Sequence, residues 1–139
     1  MNTILRLLRP GLLAIVSLAL ATTVWAQSTM VRLHTTQGAI DIQLYDTAAP
    51  KTVANFLSYV RSGAYTDNFI HRSIPGFVVQ LGGYAWPASG YAGHITSFPP
   101  VVNEFSVARS NVRGTVAMAK LGGDPNSATS EFFFNLVNN

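Results

Sequence analysis

The sequence predicts a single mostly-β domain with one amphipathic helix laid across it. Two changes of hydrophobic period carry that prediction. Met30 to Thr36 and Ala39 to Tyr45 alternate apolar and polar residues, and Ile40, Ile42 and Leu44 share one face of the second run. A period of two marks half-buried strands. Val53, Phe56, Leu57 and Val60 then fall at i, i+3, i+4 and i+7, the stripe of a helix. A length of 139 residues leaves room for one such domain.

The elements follow in order. Gln37-Gly38 is expected to form the two-residue turn of a first hairpin, with glycine supplying positive φ. Pro50 suits the first turn of the helix and Gly63 its stop. The helix is expected to cover an open end of a sheet or barrel. Residues 68–83 read as a strand, a Pro-Gly bend and a second apolar strand. Gly82 to Pro100 reads as a long surface loop carrying Tyr84, Trp86, Tyr91 and Phe98. These aromatics either contact an extended ligand or pack beneath the loop. Val101 to Phe105 is a short strand candidate. Thr115 to Lys120 is a strand of small and apolar residues, and Leu121 to Thr129 is a turn-rich loop. Glu131 to Val137 is a strongly apolar strand, and no partner or cap follows it before Asn139.

Residues 1–26 have the pattern of a secretory signal peptide. Arg6 and Arg9 precede an apolar core from Gly11 to Val24, and Val24-Trp25-Ala26 places small residues at the −3 and −1 positions. That core falls short of the roughly 20 residues that span a bilayer. Cleavage after Ala26 is expected, with a mature domain over 27–139 that has no further membrane contact. Setting Arg6 and Arg9 aside leaves seven basic residues against six acidic ones. The sequence pI of 9.6 therefore reports mainly the leader, and there is no basic patch for nucleic acid. With no cysteine there is no disulfide, thiol nucleophile or thiolate metal site. A Cys-free secreted domain suits a bacterial periplasm.

The chemistry is narrowed by what the residues lack. No glycine-rich phosphate loop precedes the helix, and no Gly-x-Ser-x-Gly occurs. His34, His71 and His94 lack ligand spacing, so neither a metal nor a cofactor is expected. The carboxylates show no catalytic pairing. What remains is Arg72 and Gln80 set in an apolar β stretch. A buried arginine is costly unless paired, so Arg72 either faces solvent or waits for a substrate. Such a set suits peptide binding, or a reaction with no covalent step. Rotation about an Xaa-Pro bond is one, with a barrier of about 18–20 kcal/mol. The prolyl nitrogen loses conjugation in the twisted transition state, and a guanidinium aimed at it stabilises that state above either ground state.

Four segments then match one family in order. Ile70-His71-Arg72-Ser73-Ile74-Pro75-Gly76-Phe77-Val78-Val79-Gln80-Leu81-Gly82 resembles its signature. Ala49-Pro50-Lys51-Thr52-Val53-Ala54-Asn55-Phe56 resembles its first helix start. Arg113-Gly114-Thr115-Val116-Ala117-Met118-Ala119 and Ser127-Ala128-Thr129-Ser130-Glu131-Phe132-Phe133 resemble two of its strands. Residues 30–139 thus resemble the cyclophilins, peptidyl-prolyl cis-trans isomerases, and most of all bacterial periplasmic members. The resemblance implies an antiparallel eight-stranded barrel with two helices. It implies that Arg72 is catalytic, that Gln80 orients it, and that Phe77, Val78 and Phe133 line a proline pocket. His71, Ala119, Lys120 and Glu131 join the implied substrate-binding set, Ala119 and the Lys120 backbone by pairing with the substrate main chain. The implied partners are proline-containing segments of unfolded or exported proteins, met by a monomer. The alternative is a non-catalytic peptide-binding or chaperone module, or an inactive fragment.

Several residues depart from the family pattern. Ile70 stands for Phe, Leu81 for Gly and Glu131 for Gln. Glu131 is expected either to pair with Arg72 and compete with substrate, or to accept a peptide amide. The family's last strands, second helix and further pocket residues would fall after Asn139. An incomplete barrel lacking its C-terminal third is therefore expected, with open edges, low stability and little activity.

Overall fold

Eight strands, an α-helix and a short 3-10 helix organise the described residues, which are 28–86 and 90–139 of a computed structural model. The expected leader lies outside them. The strands are β1 (Met30–Thr35), β2 (Gly38–Gln43), β3 (Arg72–Ile74), β4 (Val78–Leu81), β5 (Tyr84–Ala85), β6 (Gly93–His94), β7 (Val116–Met118) and β8 (Phe132–Asn135). Helix α1 spans Pro50–Arg61, and the 3-10 helix Val107–Arg109.

The first hairpin forms as its alternation predicts, but its turn sits one residue earlier. Thr35 pairs with Gly38, so Thr36 and Gln37 make the loop. The Thr35 hydroxyl donates to the Gly38 carbonyl at 2.7 Å and accepts from the Gln37 amide at 3.1 Å. Glycine takes its positive φ of 123° just after the turn rather than within it.

Helix α1 buries Val53, Phe56 and Tyr59, with Leu57 and Val60 half-buried beside them. Pro50 occupies its first turn, and Ala49 gives it no side-chain cap. The cap comes instead from Glu104, far along the chain. Its carboxylate accepts from the Lys51 amide at 3.2 Å, and from the Thr52 amide and hydroxyl at 2.7 and 2.8 Å. This satisfies helix N–H groups that otherwise lack partners and sets an anion at the positive end of the helix dipole.

A four-stranded antiparallel sheet, ordered β3-β4-β8-β7, carries the rest. The strand pair around Pro75-Gly76 is its β3-β4 edge. The strongly apolar β8 does have partners: it lies between β4 and β7, which precede it in sequence. Phe132 points inward with only 1% of its surface exposed. It packs with Ile42, Leu44, Val53 and Phe56, and meets the Phe56 ring edge-on at 5.2 Å.

Two further expectations are corrected. The Gly- and Pro-rich segment is not all loop, because β5 and β6 pair within it. Val101 to Phe105 forms no strand. Only Val101 bridges, to Ala128, and Glu104 is diverted to the helix cap. The family's eight-stranded barrel is not closed among the described residues, where the eight strands fall into three separate sheets. A groove of about 580 Å3 separates β2 from β7, lined by Ile42, Leu44, Phe56, Met118 and Phe134. It leaves Ile40 41% exposed although its strand neighbour Ile42 is buried.

Candidate active site

The register of the sheet builds a row of side chains. Arg72 on β3 lies opposite Gln80 on β4, Gln80 opposite Phe133 on β8, and Phe133 opposite Ala117 on β7. Because faces alternate along a strand, this row points away from the core that holds Phe132. Arg72 is exposed, so its charge keeps its water. Its Nη1 donates to Gln80 Oε1 at 3.0 Å, and its guanidinium carbon lies 5.5 Å from the centroid of the Phe77 ring. The contact with Phe77 adds a weak cation–π attraction. The tight turn after Ile74 places that ring, with the Phe77 amide donating to the Ile74 carbonyl at 3.0 Å.

The network continues behind Gln80. Its Nε2 donates to Glu131 Oε2 at 2.6 Å, and the same oxygen lies 3.4 Å from His71 Nε2. Glu131 therefore does not pair with Arg72; it faces Gln80 and His71. The His71 side chain is 16% exposed and stacks edge-on against Tyr84 at 4.9 Å. Its Nδ1 is buried without a partner. His71 thus lies behind the exposed row rather than on its open face.

The other expected site residues are placed less directly. Val78, two residues from Gln80 and on the same face, is buried at 2% exposure. The Ala119 amide donates to the Glu131 carbonyl at 2.8 Å and so extends the β7-β8 ladder. Lys120 is exposed, and its Nζ donates to Asn103 Oδ1 at 3.3 Å. A second groove of about 510 Å3 begins at Phe133, Ala117 and Lys120 and runs past Phe105, and Arg72 is not among its walls. The structure gathers Arg72, Phe77, Gln80, Glu131 and His71, with Ala119 beside Glu131 on the adjoining strand and Lys120 one residue beyond it.

Several polar residues that hold this arrangement have no mark in the sequence beyond their type. Asn55 Nδ2 donates to the Thr129 carbonyl at 2.6 Å, and the Tyr65 hydroxyl to the Ser130 carbonyl at 2.7 Å. Burial, with a smaller contribution from Tyr59, pushes the Tyr65 hydroxyl far above its ordinary pKa and keeps it a donor. Asn68 Oδ1 accepts from the Gly82 amide at 2.7 Å. These bonds fix the backbone just before Glu131 and at the end of β4. The loop aromatics divide into packed and exposed ones. Tyr84 stacks on Phe69, His71 and His94, and Phe98 packs on Tyr59, while Trp86 and Tyr91 are exposed.

Among the described residues, no three metal-ligating side chains come together. The arrangement offers one oriented cation, one phenylalanine ring beside it, a second two strands away, and hydrogen-bonded polar groups behind it. That can grip an apolar ring next to a group that gains basicity.

Residues 30–139 match the profile of the cyclophilin-type peptidyl-prolyl cis-trans isomerase/CLD family. The chain is 44% identical over 112 residues to peptidyl-prolyl cis-trans isomerase A of Dickeya dadantii, covering 81% of this chain and 56% of that protein. It is 44% identical over 110 residues to peptidyl-prolyl cis-trans isomerase B of Escherichia coli K12, covering 79% and 64%. The chain thus spans somewhat under two thirds of the length of these relatives. A cyclophilin-type isomerase of Cryptosporidium parvum, solved in the presence of the dipeptide Ala-Pro, superposes with a TM-score of 0.66 at 26% identity. That match covers 80% of this chain and 70% of the other. Mostly-β architecture, family profile and relatives agree, and the chain belongs to the cyclophilin-type peptidyl-prolyl cis-trans isomerase family.

Proposed function

We propose that this chain accelerates cis-trans isomerisation of Xaa-Pro bonds. The observation that carries the reading is the placement of Arg72. Gln80 holds it at 3.0 Å on an exposed sheet face, beside Phe77 and two strands from Phe133. A proline ring seated against the two phenylalanines brings its nitrogen toward the guanidinium. As the bond twists, that nitrogen becomes a better acceptor and the bond from Arg72 strengthens. One charge-assisted hydrogen bond supplies about 1.5–3 kcal/mol. The named activity of the relatives and the Ala-Pro present with the Cryptosporidium protein support the reading.

Substrates would be proline-containing segments of exported proteins, met by a monomer in the periplasm after cleavage following Ala26. That part rests on Arg6, Arg9 and the apolar run from Gly11 to Val24. Cell fractionation with N-terminal sequencing of the mature chain tests it. A cytoplasmic chain that retains Met1 would refute it.

Exchange NMR on an Ala-Pro peptide tests the activity. The protein should speed exchange between the cis and trans signals well above the uncatalysed rate. Binding without acceleration would replace the isomerase reading with a peptide-binding one.

A further inference from the structure

We propose that Glu131 is a positioning residue that fixes the orientation of Gln80, and through it the aim of Arg72. The inference rests on the isomerase reading above. It starts from an asymmetry in donors and acceptors. A primary amide donates from one side and accepts on the other, so Gln80 can meet Arg72 usefully in only one of its two flips. An ionised carboxylate only accepts. Glu131 Oε2, 2.6 Å from Gln80 Nε2, therefore demands the donating side of the amide and turns Oε1 toward Arg72, 3.0 Å away. In the opposite flip Nε2 would face the guanidinium, donor to donor, and the carbonyl oxygen would face a carboxylate. Both contacts would be repulsive.

A second observation shows that the carboxylate has a built seat. A Cβ on Gly83 would lie 2.5 Å from Glu131 Oε1, 2.8 Å from its Cδ and 2.9 Å from its Cγ. The side chain thus lies flat on the glycine, in space that no other residue type leaves open. His71 Nε2 lies 3.4 Å from the other oxygen, Oε2, which also meets Gln80. Below it, Asn55 and Tyr65 pin the Thr129 and Ser130 carbonyls, and the Ala119 amide bonds the Glu131 carbonyl. Glu131 is held by its backbone, by its seat and by its partner, and none of these contacts requires a substrate.

Two readouts test this, one of which needs no turnover. The Arg72 Nε–Hε cross-peak in 15N NMR should move or broaden in Glu131→Leu as it does in Gln80→Ala. It should stay near wild type in Glu131→Gln, whose carbonyl oxygen still accepts from Gln80. Gly83→Ala should reproduce part of the Glu131→Leu change, because the new methyl displaces the flexible end of Glu131 without removing it. In the exchange assay, Glu131→Leu should lower kcat/KM about fivefold to thirtyfold, mainly through kcat. Glu131→Gln should recover activity to within about threefold of wild type. In a Gln80→Ala background, Glu131→Leu should cost little more, since the two act as one unit. An Arg72 cross-peak unmoved by Glu131→Leu but moved by Gln80→Ala would overturn the proposal. So would losses that multiply in the double variant. Absence of catalysis in the wild type would instead count against the isomerase reading, and the Arg72 cross-peak would still decide the role of Glu131.

Discussion

The two faces of the four-stranded sheet use the same strands for opposite ends. On β8, Phe132 faces inward at 1% exposure against Ile42, Val53 and Phe56, while Phe133 faces outward in line with Gln80 and Arg72. One residue of offset separates a packing role from a proposed site role. The inner face accepts only apolar groups that fill space. The outer face tolerates an arginine, because water still reaches it, and a carboxylate, because Gln80 and His71 meet it. The comparison teaches that the site is held still by bonds to backbone carbonyls rather than by burial of its own side chains.

Phe132→Ala should break the inner face outright. Removing a buried phenylalanine costs about 3–5 kcal/mol, a large share of the total stability of a small domain. Denaturant melts would show it as a lowered midpoint. Gly82→Ala comes next, at about 2–3 kcal/mol. Gly82 has φ of +90°, and an added Cβ would meet the Ser130 carbonyl oxygen at 2.6 Å, a backbone atom that cannot swing aside. Its neighbour Gly83 would meet only the end of a flexible side chain, so Gly83→Ala should leave the melt almost unchanged. Phe133→Ala, on the outer face, should cost about 1–2 kcal/mol and weaken peptide binding more than it weakens the fold. Equal losses of stability from Phe132→Ala and Phe133→Ala would contradict the division between the two faces.

Smaller effects sharpen the same contrast at the helix. Glu104→Gln should cost about 1 kcal/mol, the scale of a lost N-cap. Burial pushes the Glu104 carboxyl up, but the Thr52 and Lys51 bonds outweigh it and hold it below its usual 4.5. The Asp46 carboxyl is held below its usual 3.8 by the Thr29 amide and hydroxyl. A depressed folded pKa gives stability that is complete above the unfolded value and is lost as pH falls through the folded one. Stability should therefore decline as pH drops below about 4.5, and Glu104→Gln should flatten part of that decline. A decline of unchanged steepness in the variant would place the acid sensitivity elsewhere.

Much of this was legible in sequence, because alternation and helical spacing are local. The first hairpin, the stripe of α1, the strands around Pro75-Gly76 and the apolar β8 all follow from residue patterns. The pairing of Arg72 with Gln80 was implied by the family resemblance, and the structure sets the two opposite each other on one short hairpin. What was not legible depends on partners distant in sequence. Glu104 caps a helix about 50 residues before it, an arrangement no local window contains. Tyr59 is fully buried because Phe98, from the loop, stacks on it and donates its amide to the hydroxyl at 2.7 Å. The contacts of Glu131 could not be chosen between from its identity alone. They were decided by the room above Gly83 and by the reach of Gln80.

The central claim is that an oriented guanidinium, and not the apolar rings alone, drives the rotation. The most direct test is exchange NMR on an Ala-Pro peptide with the protein and its Arg72→Ala variant, measuring peptide binding in the same samples. The loss of one charge-assisted bond made in the transition state predicts a fall in kcat/KM of about 10-fold to 150-fold with affinity little changed. Acceleration left intact by Arg72→Ala would contradict the account.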